Sequence, residues 1–318
     1  MKEKSRILKK INNECFGGSE NQLRLLLKNL PDESFKDINL ILNDTSYDFL
    51  EKDKINILWM QHFVNQEDVK NLRSKEYIDK LDFIVFNSNW NYEKFVYQFK
   101  VPDSKSLVIK NAIEKIKFHQ KPKDKISLIY HTTPWRGLSH LLNIFEKLKL
   151  ENTELNVCSS TIIYGKKFDN AIGTKYHDLL KKCKNTKNVN YLGFVKNESI
   201  IDILTKMHIY AYPSIWPETS CISAIESMAA GCQVVTTNLG ALYETCAPFG
   251  TFVGFDRNFV NLEKKFSEAL VDSVNNFWSA QNQKRLKLQH ETINEMYSWE
   301  TRSIEWKKFF NNARKLKN

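Results

Sequence analysis

Tyr212-Pro213-Ser214-Ile215-Trp216-Pro217-Glu218-Thr219-Ser220-Cys221-Ile222-Ser223-Ala224-Ile225-Glu226-Ser227-Met228-Ala229-Ala230-Gly231 runs directly into Cys232-Gln233-Val234-Val235-Thr236-Thr237. Pro217 disfavours helix at Trp216, so a loop presents Glu218. Beyond it, apolar residues recur at helical spacing as far as Ala230, Gly231 stops the helix, and Gln233 to Thr237 reads as a strand. Ser220 or Ser223 is placed to cap that helix. With the apolar run Ile209 to Tyr212 ahead of the loop, the order is strand, loop, helix, strand. This is the repeating unit of a parallel α/β sheet.

Working outward, the same alternation fills the chain. Ile38–Leu42, Ile55–Trp59, Leu81–Phe86 and Ser106–Ile109 read as strands, with helices over Asn21–Leu30 and Trp90–Phe99. Glu114 to Lys125 is charged, holds Pro122 and lacks apolar rhythm, which marks a linker. A second series follows. Its strands are Ile126–Tyr130, Leu155–Cys158, Val189–Leu192, Ile209–Tyr212, Gln233–Thr237 and Thr251–Phe255, and its helices are Leu138–Leu148, Tyr176–Cys183, Glu198–Met207 and Ser220–Ala230. Asn261 to Phe310 is helical. The expectation is two Rossmann-like α/β domains: residues 1–113, a linker at 114–125, residues 126–296, and a closing helix at 297–318.

The bulk composition allows this. A chain of 318 residues, 42% hydrophobic and 12% aromatic, buries one large core or two ordinary ones. No stretch reaches the roughly 18 apolar residues of a membrane helix, and Met1-Lys2-Glu3-Lys4-Ser5-Arg6 lacks a secretory core, so a cytoplasmic protein is expected. The six cysteines have no Cys-x-x-Cys spacing and read as reduced thiols. A net charge of +10 allows peripheral contact with an anionic membrane, yet no zinc-finger or RNA-recognition signature turns it into a nucleic-acid claim.

The candidate chemistry gathers at strand ends. Glu218 and Glu226 stand eight positions apart, at most about 12 Å along a helix. The amides near Cys221, Ile222 and Ser223 face the direction in which helix starts favour anions. Two carboxylates flanking an anion-binding helix start suit a ligand with two polyol ends and a charged bridge, such as a nucleotide sugar. Two solvated glutamates at helix ends would leave the same pattern. After the strand Ile126–Tyr130 comes His131-Thr132-Thr133-Pro134-Trp135-Arg136-Gly137. Ligands of open α/β sheets sit beyond such carboxyl ends; Arg136 offers a fork for phosphate and Gly137 a close backbone approach. Gly17 and Gly18 precede the first helix, where positive φ is open to them and Ser19 can cap. His62 follows the strand ending at Trp59 and can bond a sugar hydroxyl. The remaining histidines lack ligand spacing, so no metal site is expected. There is also no Gly-x-Ser-x-Gly elbow or Walker loop.

Taken together, these residues resemble the retaining GT-B glycosyltransferases of glycosyltransferase family four, the glycosyl transferases group 1 type. Glu218 and Glu226 match the paired-glutamate motif, and Met228-Ala229-Ala230-Gly231 with Val234-Val235 matches the Met-Ala-x-Gly-x-Pro-Val-Val run. Asn238-Leu239-Gly240-Ala241-Leu242-Tyr243-Glu244 is similar to the Gly-Gly-x-x-Glu segment. Phe86-Asn87-Ser88-Asn89-Trp90, Val108-Ile109-Lys110-Asn111-Ala112-Ile113 and Tyr297-Ser298-Trp299 with Trp306 resemble further signatures.

The resemblance implies two Rossmann-like domains with parallel sheets facing across a cleft, and sugar transfer from a nucleotide-diphosphate donor with the anomeric configuration retained. No metal and no cofactor beyond the donor are implied. Glu226 would bind ribose hydroxyls, Glu218 the transferred sugar and Arg136 the diphosphate. His62 would reach the sugar from the opposing domain, and Gly17-Gly18 would serve the phosphate and acceptor side. Ser220, Cys221, Ile222, Ser223, His131 and Gly137 complete the donor site. The acceptor would be a glycan, a lipid-linked saccharide or another hydroxyl compound, taken by a shortened first domain. Three positions depart from the pattern: His131 stands where a second phosphate-binding Arg is frequent, Cys221 replaces a frequent Gly, and Gln233 a frequent Pro. A nucleotide-sugar epimerase, or a non-catalytic module binding sugar nucleotides or nucleic acid, would fit the same fold.

Overall fold

In a computed structural model, which describes residues 2–11 and 14–317, the chain runs as two parallel α/β series. The first comprises α1 (Lys2–Leu8), α2 (Gly18–Asn29), β1 (Ile38–Leu42), β2 (Ile55–Met60), α3 (Lys75–Lys80), β3 (Phe83–Phe86), α4 (Asn89–Phe99) and β4 (Ser106–Val108). The second begins with β5 (Ile126–Tyr130), α5 (Leu138–Leu148), β6 (Thr153–Val157), α6 (Lys166–Asn185), β7 (Val189–Tyr191) and α7 (Asn197–Leu204). It continues with β8 (Ile209–Tyr212), α8 (Ile222–Ala229), β9 (Gln233–Thr237), α9 (Leu242–Cys246), β10 (Thr251–Val253), α10 (Phe259–Asn275) and α11 (Ala280–Met296). Helix α12 (Trp299–Lys317) closes the chain. Two compact units result: Met1–Ile113 with Tyr297–Asn318, and Glu114–Met296.

The first unit holds a four-stranded parallel sheet in the order β1-β2-β3-β4. Its strands are covered on both faces, which is why they read as continuous apolar runs. Along β2 the side chains alternate between two cores. Ile57 and Trp59 pack with Leu23, Leu26 and Leu27 of α2 and with Trp299, Trp306 and Phe310 of α12. Leu58 and Met60 pack with Tyr77, Phe95 and Phe99. Trp59 meets Trp306 edge-on at 4.8 Å between ring centroids. Where the chain leaves this unit and where it returns, Ile113 and Ser298 form a parallel bridge, with Ile113 N–H donating to Tyr297 O at 2.7 Å.

The second unit holds six parallel strands in the order β10-β9-β8-β5-β6-β7. From β5 the chain builds outward to β7, then returns to the other side of β5 and builds outward again from β8 to β10. The order therefore reverses between β5 and β8, neighbouring parallel strands whose following loops emerge at the same end of the sheet. Such a switch point is where open α/β sheets bind ligands.

Every strand read from the sequence is present, with ends differing by up to two residues. Two readings need correction. Helix α6 spans twenty residues, whereas its apolar spacing marks only Tyr176–Cys183; its sole buried residue is Cys183, so its first half carries no core stripe. Between the units' elements, 114–125 is irregular, but Ile116 is buried and Lys121 is largely enclosed, so the segment is packed along the second unit. Among the described residues no helix is long and apolar enough to cross a membrane.

Candidate functional site

At the switch point, the loop after β5 and the loop after β8 are locked together by backbone contact. Gly137 has φ +130°, and a Cβ there would stand 2.2 Å from the Pro213 carbonyl oxygen. The close approach that Gly137 permits is therefore to the protein's own backbone. Ile215 N–H donates to Arg136 O at 3.2 Å, tying the loops a second time. These ties bring Arg136 onto Glu218: Nη1 donates to Oε1 at 2.8 Å and to Oε2 at 3.0 Å. Tyr212 Oη also donates to Oε1.

The Arg136 guanidinium lies over the Trp216 ring, 5.7 Å from its centroid, and its Nε is buried without an acceptor among the described residues. The Glu218 side chain is 6% exposed and that of Arg136 22%. Burial is the largest single influence and works against the charge on Arg136, but the Glu218 carboxylate together with Tyr164, Tyr212 and Cys221 outweighs it and holds the guanidinium well above its ordinary range. The Glu218 backbone is fixed from a third loop. Ala241 N–H donates to Glu218 O at 2.7 Å, and a Cβ on Gly240, at φ +70°, would lie 2.5 Å from Glu218 N and O.

Helix α8 starts differently from the sequence expectation. Neither Ser220 nor Ser223 caps it. The N-cap is Cys221 in the left-handed region, φ 71° and ψ 75°, without a side-chain cap. Ser223 Oγ instead bonds Tyr210 Oη at 2.9 Å, and the Ser220 carbonyl accepts from Thr245 Oγ1. Glycine is the residue that adopts such a φ without strain, so Cys221 explains why a glycine is frequent there. Burial pushes the Cys221 thiol up to about 12, which leaves it unreactive as a nucleophile. As at any helix start, the first-turn amides, including those of Ile222 and Ser223, have no partner within the helix and favour anions.

One turn further on, Ser223, Glu226 and Ser227 share a face of α8. Ser227 Oγ donates to Ser223 O at 2.7 Å and meets His131 Nε2 at 2.8 Å. The His131 ring lies edge-on to Tyr210, and burial lowers its pKa to about 3. It is a neutral ring, with no charge to offer a phosphate. Glu226 is half-buried, and its carboxyl meets no protein donor among the described residues. Burial pushes that carboxyl up to about 8. A carboxyl held in a partly dry hollow without a partner is placed for a hydrogen-bonding ligand.

The second unit thus brings together Arg136, Gly137, Glu218 and the α8 start, and sets His131 against the face of α8 that bears Glu226. Tyr212, which holds Glu218, went unnoticed in the sequence because a tyrosine ending a buried strand reads as core. The other predicted residues lie in the first unit. Gly17 is the N-cap of α2 at φ −58° and Gly18 its first residue, so positive φ is not used; Ser19 lies inside the first turn and caps nothing. His62 follows β2, and its Nδ1 lies 2.6 Å from Asp68 Oδ2.

Solved structures share this architecture. A glycosyltransferase from Rickettsia africae matches over 96% of this chain and 84% of its own, with a TM-score of 0.67 and 14% identity. Anabaena HepE, in complex with UDP and glucose, matches over 94% and 84%, again with a TM-score of 0.67 and 14% identity. The GtfA/B complex matches over 81% of this chain with a TM-score of 0.61 and 12% identity, and there the chain spans only 53% of the matched length. At such identities the likeness establishes the fold, two parallel-sheet α/β units of the GT-B class. No curated protein sequence matches. The glycosyl transferases group 1 model matches residues 110–294, more than half of the chain, and the chain belongs to that family.

Proposed function

We propose that the protein is a retaining glycosyltransferase of the family-four type, which moves a sugar from a nucleotide-diphosphate donor to a hydroxyl of a glycan, lipid-linked saccharide or other acceptor. The observation that carries this reading is the meeting of Arg136 and Glu218 at the switch point, with the unpartnered Glu226 carboxyl on the adjoining helix. Each end of a nucleotide sugar then has a counterpart. Glu226 accepts from ribose hydroxyls, Glu218 from hydroxyls of the transferred sugar, and Arg136 with the first-turn amides of α8 takes the diphosphate. As the bond to the sugar breaks, charge grows on the departing diphosphate, and fixed donors aimed at it lower the barrier. Arg136 supplies a permanent positive charge, so the proposed reaction uses no metal. Complexes of HepE with UDP, UDP-glucose, and UDP with glucose support a nucleotide-sugar donor by analogy of fold.

Thermal denaturation with UDP-, GDP-, ADP- and CMP-sugars tests the proposal. Ligand at a hundred times its Kd stabilises the folded chain by about 2.7 kcal/mol. One class of nucleotide sugar is expected to raise the midpoint, and Glu226→Gln and Arg136→Ala are expected to abolish the rise. No rise with any of the four would overturn the reading. NMR of the product's anomeric proton then decides retention.

A further inference from the structure

His62 and Asp68 lie at the carboxyl end of the first unit's sheet, and both are held from behind. The Asp68 carbonyl accepts from Thr45 N–H at 3.0 Å and from Thr45 Oγ1 at 2.7 Å, and Asn71 binds Thr45 in turn. The His62 carbonyl accepts from Asn91 Nδ2 at 3.3 Å, on a side chain that is fully buried. Beside them Phe63 stacks on Trp90, 5.5 Å between centroids and 18° from parallel. The 2.6 Å contact between the ring and the carboxylate is therefore set by backbone anchors, Thr45 in the loop after β1 and Asn91 on α4, as a chance surface pair would not be.

A carboxylate only accepts hydrogen bonds, so the proton between these groups sits on Nδ1. In the neutral ring Nε2 is then bare, and it meets no protein group among the described residues. A bare Nε2 accepts from a hydroxyl and repels a phosphate oxygen or a carbonyl.

We propose that Asp68 is a positioning residue that fixes His62 as a hydrogen-bond acceptor for a sugar hydroxyl, beside the flat aromatic pair of Phe63 and Trp90. The role of Asp68 rests on the glycosyl-transfer reading for its purpose, though not for its tautomer. The anchoring through Thr45 and Asn91 makes the arrangement rigid. The ring selects a hydroxyl-bearing ligand by its chemistry.

Long-range 15N–1H correlation spectra of the histidine rings in the full labelled chain test this directly, with His62→Gln identifying the signals. In its neutral form the ring of the unsubstituted protein is expected to carry its proton on Nδ1 and none on Nε2. Asp68→Asn is expected to move the proton to Nε2, and Asp68→Glu to keep it on Nδ1. A neutral His62 ring protonated on Nε2 in the unsubstituted chain would overturn the proposal. The second readout is hydrolysis of the nucleotide sugar that most stabilises the chain. Asp68→Asn is expected to lower kcat about tenfold with KM unchanged, the loss of one well-made hydrogen bond, and Asp68→Glu to restore most of it. An unchanged kcat in Asp68→Asn would overturn the positioning role. A chain with the expected tautomer that turns over none of the four nucleotide sugars removes the glycosyl-transfer reading and leaves the hold of Asp68 on the ring standing.

Discussion

A single nitrogen of Arg136, Nη1, donates to both oxygens of the Glu218 carboxylate, at 2.8 and 3.0 Å. The fork is not matched edge to edge, so the rest of the guanidinium is left for a second anion. Glu218 depends on this contact more than Arg136 does, because its side chain is nearly enclosed. Arg136→Ala strands a buried carboxylate, and such losses amount to about 3–5 kcal/mol. Glu218→Gln removes the stranded charge and keeps an oxygen for the Tyr212 hydroxyl. The double variant Arg136→Ala with Glu218→Gln is therefore expected to be less destabilised than the two single losses added together. Urea denaturation of the four proteins measures the coupling, and strict additivity would mean the pair contributes nothing.

Gly240 decides where Glu218 stands. An alanine there would carry its Cβ 2.5 Å from two Glu218 backbone atoms, at a φ that side chains rarely adopt. Neither strain can relax without moving the Glu218 backbone. Gly240→Ala is expected to cost more than about 2 kcal/mol and to abolish nucleotide-sugar stabilisation, since the carboxylate shifts with its backbone. Gly254→Ala, with open space around it, serves as the control and is expected to keep nucleotide-sugar stabilisation.

Glu226 and His131 impose opposite pH dependences. Burial raises the Glu226 carboxyl from 4.5 to about 8, so the folded state holds a proton that the unfolded state has lost, and stability falls as pH rises through that window. Burial lowers His131 from 6.5 to about 3, so there the unfolded state holds the extra proton, and stability rises with pH through that window. The two slopes oppose each other where the windows overlap. Above the ordinary histidine range only the Glu226 slope remains, at most about 1.4 kcal/mol per pH unit. Glu226→Gln is expected to flatten this alkaline-side fall in denaturation midpoints measured across pH. If ribose hydroxyls donate to the ionised carboxylate, as proposed, nucleotide-sugar affinity is expected to climb toward pH 8 in the unsubstituted chain alone. A fall that survives Glu226→Gln would locate the titration elsewhere.

Strands were legible in the sequence because parallel strands covered on both faces leave unbroken apolar runs, as Ile55–Met60 does. Half of α6 was not, because a helix that buries one residue leaves no stripe. Glu218 and Arg136 could be found as polar residues beyond strand ends. Their pairing could not, since they lie 82 positions apart and meet only because β5 and β8 are neighbours in the sheet. The start of α8 misled for a related reason. Serine near a helix start signals a cap, but here contacts with Tyr210 and Thr245 settle the local geometry. Asp68 ends the short polar run Asn65-Gln66-Glu67-Asp68 after His62, and nothing in its spacing announces the pair.

The stretch with linker composition contains a residue on which the site's helix depends. Lys121 Nζ donates to Leu204 O at 2.9 Å, Thr205 O at 3.2 Å and Ala230 O at 2.8 Å. It thereby satisfies carbonyls at the carboxyl ends of both α7 and α8, and places a positive charge where both helix dipoles favour one. Burial lowers its pKa from the ordinary lysine value, yet with three carbonyl acceptors the ammonium is fully bonded. Lys121→Met keeps the length and apolar stem but removes the ammonium from Thr205 O and Ala230 O, while Leu204 O keeps the Met207 N–H at 3.1 Å. The expected loss is about 2–4 kcal/mol, since each stranded polar group costs about 1–3 and some regain water. Hydrogen exchange distinguishes this from a general loss. Amides in the last turns of α7 and α8 are expected to lose protection well beyond those of β5, and uniform loss across the unit would show that the lysine supports the fold without capping these two helices.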